Sequence, residues 1–255
     1  MSAPILVARD LTKTYGHVTA LAGADLEVRS GQVCALIGDN GAGKSTLVKV
    51  ISGVVRADSG TIELEGRRLT VDNPAQAQEA GISTVFQDLA LAPDLHPTEN
   101  FYLGREIFRP GILGKLHFTD KRTMLSETAK EFSALGITLQ SPTVPVGSLS
   151  GGQRQSVAIA RAARWASKVI ILDEPTAALG VVQTDRVLRL IRKVADRGLG
   201  VVLVTHNMTH VVEVADSVQV LRLGKRVATF GRPETTVQNL VAAMTSDPAR
   251  KGGMS

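Results

Sequence analysis

The sequence of 255 residues predicts an α/β fold, and three observations lead to that prediction. Short apolar runs typical of buried strands recur at residues 33–37, 169–172 and 201–205. Helical spacing of apolar residues follows the first two runs, at residues 46–52 and 183–195. A glycine-rich stretch joins the first strand to its helix. Strands that alternate with helices in this way are typical of a parallel sheet covered by helices.

The N-terminal segment predicts β-structure. Residues 5–9 alternate weakly between apolar and polar and indicate an edge strand. Two strands are predicted at residues 24–28 and 32–37, on either side of the Ser30-Gly31 turn, and another at residues 61–64. The predicted strands therefore occur both before and after the glycine-rich stretch.

A helix and a strand are predicted next. Asn73 is a good cap and Pro74 a good first residue for a helix that Gly81 ends. The β-branched run at residues 82–86 indicates a short strand, and Gln87 follows it directly.

The character of the chain changes between Asp88 and Leu149, where prolines interrupt it repeatedly. The best helical pattern lies at residues 121–135, and Gly136 is suited to end that helix. We expect a helical insertion here. The residues predicted to share one face of its main helix are Met124, Leu125, Thr128, Phe132 and Leu135.

The C-terminal part returns to the α/β pattern. Residues 218–230 indicate a hairpin that turns near Gly224-Lys225. Val237, Leu240, Val241 and Met244 follow helical spacing and predict a terminal amphipathic helix. We expect the last ten residues to form a frayed tail.

Composition limits the class of protein. At 44% apolar and 21% charged residues the chain is ordinary for a globular protein, and charges interrupt every hydrophobic stretch, so no membrane span is expected. The N-terminus lacks the pattern of a secretory signal. The single cysteine, Cys34, excludes an internal disulfide and is expected to pack in a core strand. These features predict a cytoplasmic location.

The net charge of +5 and the pI of about 9.6 raise the question of an anionic partner. Lys and Arg are scattered along the chain, and only 4% of residues are aromatic, which is poor material for stacking on bases. We therefore interpret the charge as a solvated basic surface and expect no nucleic-acid partner.

The glycine-rich stretch fits a phosphate-binding loop, in which four free positions separate a glycine from Gly-Lys-Ser/Thr. Its glycines let the backbone approach an anion, and the following helix offers N–H groups and a positive dipole end. The lysine can bind the β- and γ-phosphates, and the serine hydroxyl can ligate Mg²⁺. The loop residues are Gly38, Asp39, Asn40, Gly41, Ala42, Gly43, Lys44, Ser45 and Thr46.

Two carboxylates follow the buried run at residues 169–172. Asp173 and Glu174 come at the carboxyl end of that strand, where ligands gather in a parallel sheet. Asp173 is suited to hold Mg²⁺, and Glu174 could take a proton from an attacking water. A pair of solvated acids is the alternative interpretation.

A second anion site is predicted at the start of another helix. Ser150 is a natural cap for a helix from Gly151 to about Trp165, and Gln153 follows in its first turn. Gly151 and Gly152 weaken a helix, so a merely structural cap does not account for them. Two phosphate sites with one loop to hold a nucleotide suggest a site shared between two chains.

These motifs together resemble those of the ATP-binding subunits of ABC transporters. The resemblance covers essentially the whole chain in the family's order: residues 38–45, Gln87, residues 149–153, residues 169–174 and His206. It implies a P-loop NTPase fold with a RecA-like parallel-sheet core, an N-terminal antiparallel β portion and an inserted helical subdomain. It also implies ATP and Mg²⁺ as cofactors.

The resemblance also implies roles for single residues. Tyr15 would stack on adenine, although a tyrosine that packs a strand end is the alternative. Gln87 would approach Mg²⁺ and the attacking water. Glu174 would be the general base, and His206 would contact the γ-phosphate. The residues implied to hold the γ-phosphate of ATP on the other protomer are Ser150, Gly151, Gly152 and Gln153.

One departure and one finer likeness stand out. The family commonly has an Asp where this chain has Gly180, which leaves open how tightly two shared sites are coordinated. Residues 38–46, 101–106, 176–180 and 205–208 resemble the monosaccharide-importer branch, of fructose or ribose type.

The implied organisation is a single ATPase domain at residues 1–245 with a flexible tail at 246–255. The RecA-like core would span about 1–88 and 166–234, the helical subdomain about 89–165, and the C-terminal helix about 235–245.

The implied partners are a second ATPase subunit, most simply an identical one in the ATP-bound state, the membrane permease and, indirectly, a periplasmic sugar-binding protein. The location would be peripheral, on the cytoplasmic side of the inner membrane. The alternatives are another transported substrate, an exporter, or a non-transport ABC ATPase that acts on nucleic acid or ribosomes.

Overall fold

The computed structural model describes residues 3–139 and 143–245. Within these ranges the chain forms strands that belong to two sheets. The strands are β1 (Pro4–Tyr15), β2 (Val18–Arg29), β3 (Val33–Ile37), β4 (Ser59–Leu64), β5 (Arg67–Leu69), β6 (Ile82–Val85), β7 (Val169–Asp173), β8 (Gly200–Val204), β9 (Ser217–Arg222) and β10 (Lys225–Gly231).

Helices connect and cover these strands. The α-helices of the described residues are α1 (Lys44–Ile51), α2 (Pro74–Glu79), α3 (Pro97–Tyr102), α4 (Ile112–Lys115), α5 (Lys121–Leu135), α6 (Gly151–Trp165), α7 (Val181–Asp196), α8 (Met208–Val214) and α9 (Val237–Thr245).

The larger sheet has the strand order β10-β9-β3-β8-β7-β6. Its strands β9, β3, β8, β7 and β6 are parallel neighbours, and β10 adds an antiparallel edge. All residues of β3 and β8 are buried. Their continuous apolar runs, rather than alternating ones, follow from burial on both faces of a parallel sheet.

The smaller sheet is antiparallel, with the order β2-β1-β4-β5. The prediction of an edge strand at residues 5–9 is wrong, because β1 pairs with β2 on one side and β4 on the other. The weak alternation in the sequence reports which face of the strand is buried, and it carries no information on whether both of its edges are paired.

The first apolar core lies between the two sheets. Leu47 and Ile51 of α1 pack there with Leu21 of β2 and with Cys34 and Leu36 of β3. Cys34 is buried as predicted, and burial raises the pKa of its thiol to about 11. This packing holds α1, and with it the preceding glycine loop, against both sheets.

The second core lies under α6 and α7 and includes an aromatic cluster. Phe101 and Tyr102 make edge contacts with each other, and their rings also meet Phe132 and Trp165 respectively. The segment predicted as a helical insertion, residues 88–149, contains α3 to α5, and α6 follows it. The subdomain boundaries themselves stay a prediction, and the predicted tail at residues 246–255 lies outside the described residues.

Two predicted helix faces need correction. Leu125 is 43% exposed, so the buried stripe of α5 consists of Met124, Thr128, Phe132 and Leu135 only. In α9, Leu240 is buried, whereas Val237 and Val241 are exposed. Each helix contacts the rest of the chain along a stripe narrower than its apolar pattern.

Candidate functional site

The glycine loop has a backbone path that side chains would block. Gly38 (φ 154°) and Gly43 (φ 104°) both have positive φ. A Cβ on Gly38 would lie 2.1 Å from the carbonyl oxygen of Leu221, and one on Gly43 would lie 2.5 Å from that of Ala20. The loop is therefore pressed between the strands β9 and β2.

Lys44 is held inside this loop. Its Nζ atom donates hydrogen bonds to the carbonyl oxygens of Gly38 (2.7 Å) and Asp39 (3.0 Å). Burial lowers the pKa of Lys44, and the charges of Glu174, Asp173 and Asp39 act in the opposite direction. The ammonium group is thus fixed above the loop with carboxylates near it.

Around Lys44 the loop presents groups to solvent. Asp39, Asn40 and Gly41 are exposed, and so is Ser45 in the first turn of α1. Gly43 has no side chain that could cap α1, so the first N–H groups of the helix stay open to a ligand. A helix start with open N–H groups and a nearby ammonium is suited to bind phosphate.

Asp173 and Glu174 extend from the carboxyl end of β7 toward Lys44. Burial raises the pKa of Asp173, the charge of Glu174 raises it further, and Lys44 and Lys49 lower it. The structure therefore brings together the predicted phosphate-binding lysine and the two predicted acids. The hydroxyl of Ser45 and the carboxylate of Asp173 are oxygen donors of the kind that Mg²⁺ takes.

Glu174 contacts His206, the histidine predicted to contact the γ-phosphate. Its Oε1 atom lies 2.7 Å from Nδ1 of His206, and its Oε2 atom accepts a bond of 3.4 Å from the hydroxyl of Thr205. The backbone N–H of Glu174 donates to the carbonyl oxygen of Val204, and its φ of 50° lies in the left-handed region. An uncommon backbone conformation at the end of a buried strand agrees with a functional position.

Gln87 reaches the same edge of the sheet. Val85 of β6 is paired with Leu172 of β7, so Gln87 and Glu174 each lie two residues beyond a paired position. Gln87 is exposed, and within residues 3–139 and 143–245 its side chain has no hydrogen-bond partner. It is free to turn toward a ligand between the two strand ends.

Tyr15 ends β1 and is 45% exposed. Lys13 lies 5.7 Å from the centre of its ring and is itself paired with Asp58. Lys13 is opposite Leu21, which approaches the loop at Gly43. The partly exposed aromatic side chain at the end of β1 is suited to stack on a planar ring.

His210 was not singled out by the sequence, yet it lies in the cleft beside Glu174. The cleft has a volume of about 730 Å³ and is also lined by Thr176 and His206. Nδ1 of His210 lies 3.1 Å from the hydroxyl of Thr176. The signal that could have found it is its position four residues after His206, in the first turn of α8.

The start of α6 has the predicted cap. Ser150 Oγ accepts from the N–H of Gln153 (3.3 Å), and Gln153 Oε1 accepts from the N–H of Ser150 (3.0 Å). None of the hydrogen bonds that these two residues make within the described chain reaches the glycine loop. The structure thus leaves this helix start apart from the site around Lys44.

Packing between two helices explains one glycine of that first turn, and the local sequence pattern does not contain this reason. A Cβ on Gly152 would lie 2.8 Å from Cβ of Gln183, so α6 and α7 approach more closely than a side chain allows. A Cβ on Gly151 would lie 3.2 Å from the end of the Leu179 side chain. Close packing of α6 on α7 therefore accounts for Gly152, so this glycine is not by itself evidence of an anion site.

Comparison with known proteins identifies the family. The model of the family described as ABC transporter matches residues 21–177, which is more than half of the chain. The chain belongs to this family, as one of its ATP-binding ATPases, and the predicted family and fold class are confirmed.

Its similarity to individual proteins is also clear. The chain is 52% identical over 193 residues to the fructose import ATP-binding protein FrcA of Rhizobium meliloti, covering 75% of this chain and 74% of the relative. It is 45% identical over 190 residues to the xylose/arabinose import ATP-binding protein XylG of Sulfolobus acidocaldarius, covering 74% and 73%.

Solved structures agree. A nucleotide-free ATP-binding cassette from an ABC transporter superposes with a TM-score of 0.80 at 28% identity, over 98% of both chains. The ADP conformation of the cassette MJ1267 gives 0.81 at 27% identity, over 96% of this chain and all of that one. In the described part of this chain, no helix is both long and apolar enough to cross a bilayer.

Proposed function

We propose that the chain is the ATP-hydrolysing subunit of an importer for a simple sugar, and that two copies close around ATP to drive transport. The observation that carries this proposal is the convergence of Lys44, Asp173, Glu174 and His206 at the carboxyl edge of the parallel sheet. The loop from Gly38 to Thr46 binds the phosphates of ATP, and Tyr15 stacks on the adenine.

Glu174 is the general base in this proposal. It accepts a proton from the water that attacks the γ-phosphorus, while the bond from phosphorus to the bridging oxygen breaks and ADP leaves. His206 orients the carboxylate of Glu174 through the 2.7 Å contact between its Nδ1 atom and Oε1. Its imidazole lies on the solvent side of the site and contacts the γ-phosphate. Gln87 orients the water at the same strand edge.

Ser45, Asp173 and Gln87 would hold Mg²⁺, which would neutralise charge on the β- and γ-phosphates. The half-buried Asp173 supports this role, because a nearby cation would stabilise its charged form against the cost of burial.

A second copy of the chain completes the site. Among the described residues, no side chain caps the N–H groups of Gly151 and Gly152. Ser150 and Gln153 border a second cleft, which shares no lining residue with the cleft beside Glu174. These groups suit a γ-phosphate that the loop of another copy holds. Binding of ATP would close the dimer, and loss of the γ-phosphate would reopen it.

The sugar-importer assignment rests on relatives that are named as fructose and xylose/arabinose import ATP-binding proteins. The chain would work at the cytoplasmic side of the inner membrane with a permease, and indirectly with a periplasmic sugar-binding protein. The sugar crosses through the permease, so no pocket of this chain needs to recognise it.

The shared-site mechanism is tested with Glu174→Gln. This variant should bind ATP, turn over about 10²- to 10⁴-fold more slowly and accumulate as a dimer when ATP and Mg²⁺ are saturating. Asp185→Asn, which changes another acid of the same cleft, is the matched control and should keep turnover. Light scattering that finds only monomeric Glu174→Gln would contradict the mechanism. Sugar uptake by vesicles that contain the permease tests the transport assignment.

A further inference from the structure

An ordered loop at residues 107–119 carries the densest group of exposed apolar side chains in the described chain. Five large apolar residues lie in this loop with 42% to 76% exposure. Scattered single residues of this kind are normal, but a cluster indicates a surface that meets an apolar partner. The five residues are Phe108, Ile112, Leu113, Leu116 and Phe118.

The loop is closed by its own backbone. At its base the N–H of Asp120 donates to the carbonyl oxygen of Ile107 (2.6 Å), and the N–H of Arg109 donates to that of Phe118 (2.8 Å). Farther into the loop, the N–H of Phe118 donates to the carbonyl oxygen of Leu113 (3.0 Å) and closes the turn that contains the short helix α4. Ile107 packs on the second apolar core and anchors the base.

This closure means that the apolar side chains are held in solvent by a defined structure. Gly114 lies so close to Arg109 that a Cβ would come 2.0 Å from the carbonyl oxygen of Arg109, so the tip is tightly folded. The rings of Phe108 and His117 meet edge to face, with centroids 5.3 Å apart. A compact loop that keeps its apolar residues outward is suited to insertion into a partner.

The charge of the loop indicates the kind of partner. Residues 107–119 contain Arg109 and Lys115 and no Asp or Glu. Lys115 stands between Leu113 and Leu116, in the middle of the apolar tip. Protein interfaces are depleted in lysine at their apolar centres, whereas a lysine at a bilayer surface extends its ammonium group to the lipid phosphates. Apolar and basic residues together are typical of segments that lie in the interface of an anionic membrane.

We propose that residues 107–119 insert their apolar tip into the headgroup region of an anionic phospholipid bilayer. This proposal rests on the membrane-peripheral function proposed above and assigns a surface of the chain to the membrane. The basic side chains would contact lipid phosphates, and Ile112 and Leu116, the two most exposed apolar residues of the loop, would enter the acyl boundary. ATP and the permease are not needed for this contact, so it can be measured on the isolated chain.

Sedimentation with phospholipid vesicles tests the proposal. The chain should bind vesicles that contain phosphatidylglycerol and bind those of pure phosphatidylcholine far more weakly. The double variant Ile112→Glu/Leu116→Glu should lose at least about tenfold in vesicle affinity. Lys115→Gln should lose about fivefold at low salt, and high salt should remove that difference.

The double variant Val237→Glu/Val241→Glu is the matched control, because it changes the same number of exposed apolar residues by the same charge on α9. It should bind vesicles like the natural chain. Equal binding by the loop variant and this control would overturn the proposal, as would no binding by the natural chain. A third result is that vesicles bind neither the natural chain nor the variants, while detergent-solubilised permease captures the natural chain but not the loop variant. In that case the surface docks on protein and the lipid proposal is wrong.

ATP hydrolysis by the loop variant in solution separates this proposal from the proposed function. Unchanged turnover with lost vesicle binding supports the membrane surface on its own. If the natural chain binds vesicles but does not hydrolyse ATP, the proposed function is contradicted and the membrane-binding proposal is still supported.

Discussion

Nδ1 of His206 lies 2.7 Å from Oε1 of Glu174, although 32 positions separate the two residues in the chain. The side chain of Glu174 is 18% exposed, and that of His206 is 70% exposed. The histidine thus covers the acid from solvent and keeps its other ring nitrogen available to a ligand. The backbone bond from Glu174 to Val204 holds the acid in place independently of the histidine.

His206→Ala should therefore lower kcat by about 10²-fold, because the carboxylate loses the contact that orients it toward the water. KM for ATP should change little, since Lys44 and the loop still hold the phosphates. Steady-state ATP hydrolysis measures both quantities. His117→Ala, an exposed histidine of the loop at residues 107–119, is the control. A raised KM with unchanged kcat would mean that His206 acts in binding alone.

Lys44→Ala and Ser150→Ala should separate the two halves of the shared site. Lys44→Ala should abolish ATP binding by the dilute monomer, because it removes the ammonium held over the loop. Ser150→Ala should leave that binding intact and impair ATP-dependent dimerisation. Calorimetry at low protein concentration measures the first property, and light scattering measures the second. Equal loss of monomer binding in both variants would contradict a site shared between chains.

Gly151→Ala and Gly152→Ala should differ in their effects on stability. Gly152→Ala should lower the free energy of unfolding by about 1–3 kcal/mol, because its Cβ meets Gln183 at 2.8 Å. Gly151→Ala should be neutral or raise it by up to about 1 kcal/mol, since the end of the Leu179 side chain can move and alanine favours a helix. Urea denaturation compares the two. Equal stability of both variants would show that α6 and α7 can separate without cost.

Gly180→Asp should stabilise the fold. Gly180 is the N-cap of α7 with φ −72° and ψ 166°, a conformation that any residue can adopt. An aspartate there can accept a hydrogen bond from the first turn and interact with the helix dipole, which contributes a few tenths to about 1 kcal/mol over glycine. The Cβ would approach only the movable end of Gln183. Gly180→Ala lacks the capping oxygen and is the control; if it proves as stable as Gly180→Asp in thermal unfolding, the cap has no effect.

His210 should make stability depend on pH. Burial lowers its pKa below the ordinary 6.5, against the opposing charges of Glu213 and Glu174 and with a small added effect of His206. Near pH 6.5 the imidazole of His210 therefore binds a proton in the unfolded chain but stays neutral in the folded chain. Neutral His210 makes its full contribution to the free energy of unfolding above pH 6.5. This contribution is lost as the pH falls from 6.5 toward the pKa of His210 in the folded chain.

His210→Gln should consequently lose less stability than the natural chain between pH 7.5 and 5.5. Urea denaturation at the two pH values measures the difference. His117→Gln changes an exposed histidine and should follow the natural chain. A His210→Gln profile that is parallel to the natural one would contradict the role of burial at this position.

Much of the site follows from short stretches of sequence. The strand, glycine loop and helix at residues 33–51 could be predicted because each is a local pattern, and the carboxyl end of a parallel strand places Asp173 and Glu174 beside such a loop. The capping box of Ser150 and Gln153 was likewise predictable, since all its atoms lie within one helical turn.

Other features required the folded chain. Periodicity shows which face of a strand or helix is apolar, but not what covers it, so β1 was expected at an edge and Leu125 was expected inside. A glycine is needed at position 152 because Gln183, on another helix, leaves no space for a Cβ there. The place of His210 in the cleft depends on how α8 packs beside the end of β7.

The sequence by itself therefore determined the family, the phosphate loop and the chemistry of its side chains, because these depend on residue types at fixed short spacings. The tertiary structure decided which distant residues meet. Glu174 reaches His206 only because β8 lies next to β7, and the apolar residues at 107–119 stand exposed only because the loop closes on its own backbone. Pairing of strands and closure of loops depend on contacts along the whole chain, which a local pattern does not contain.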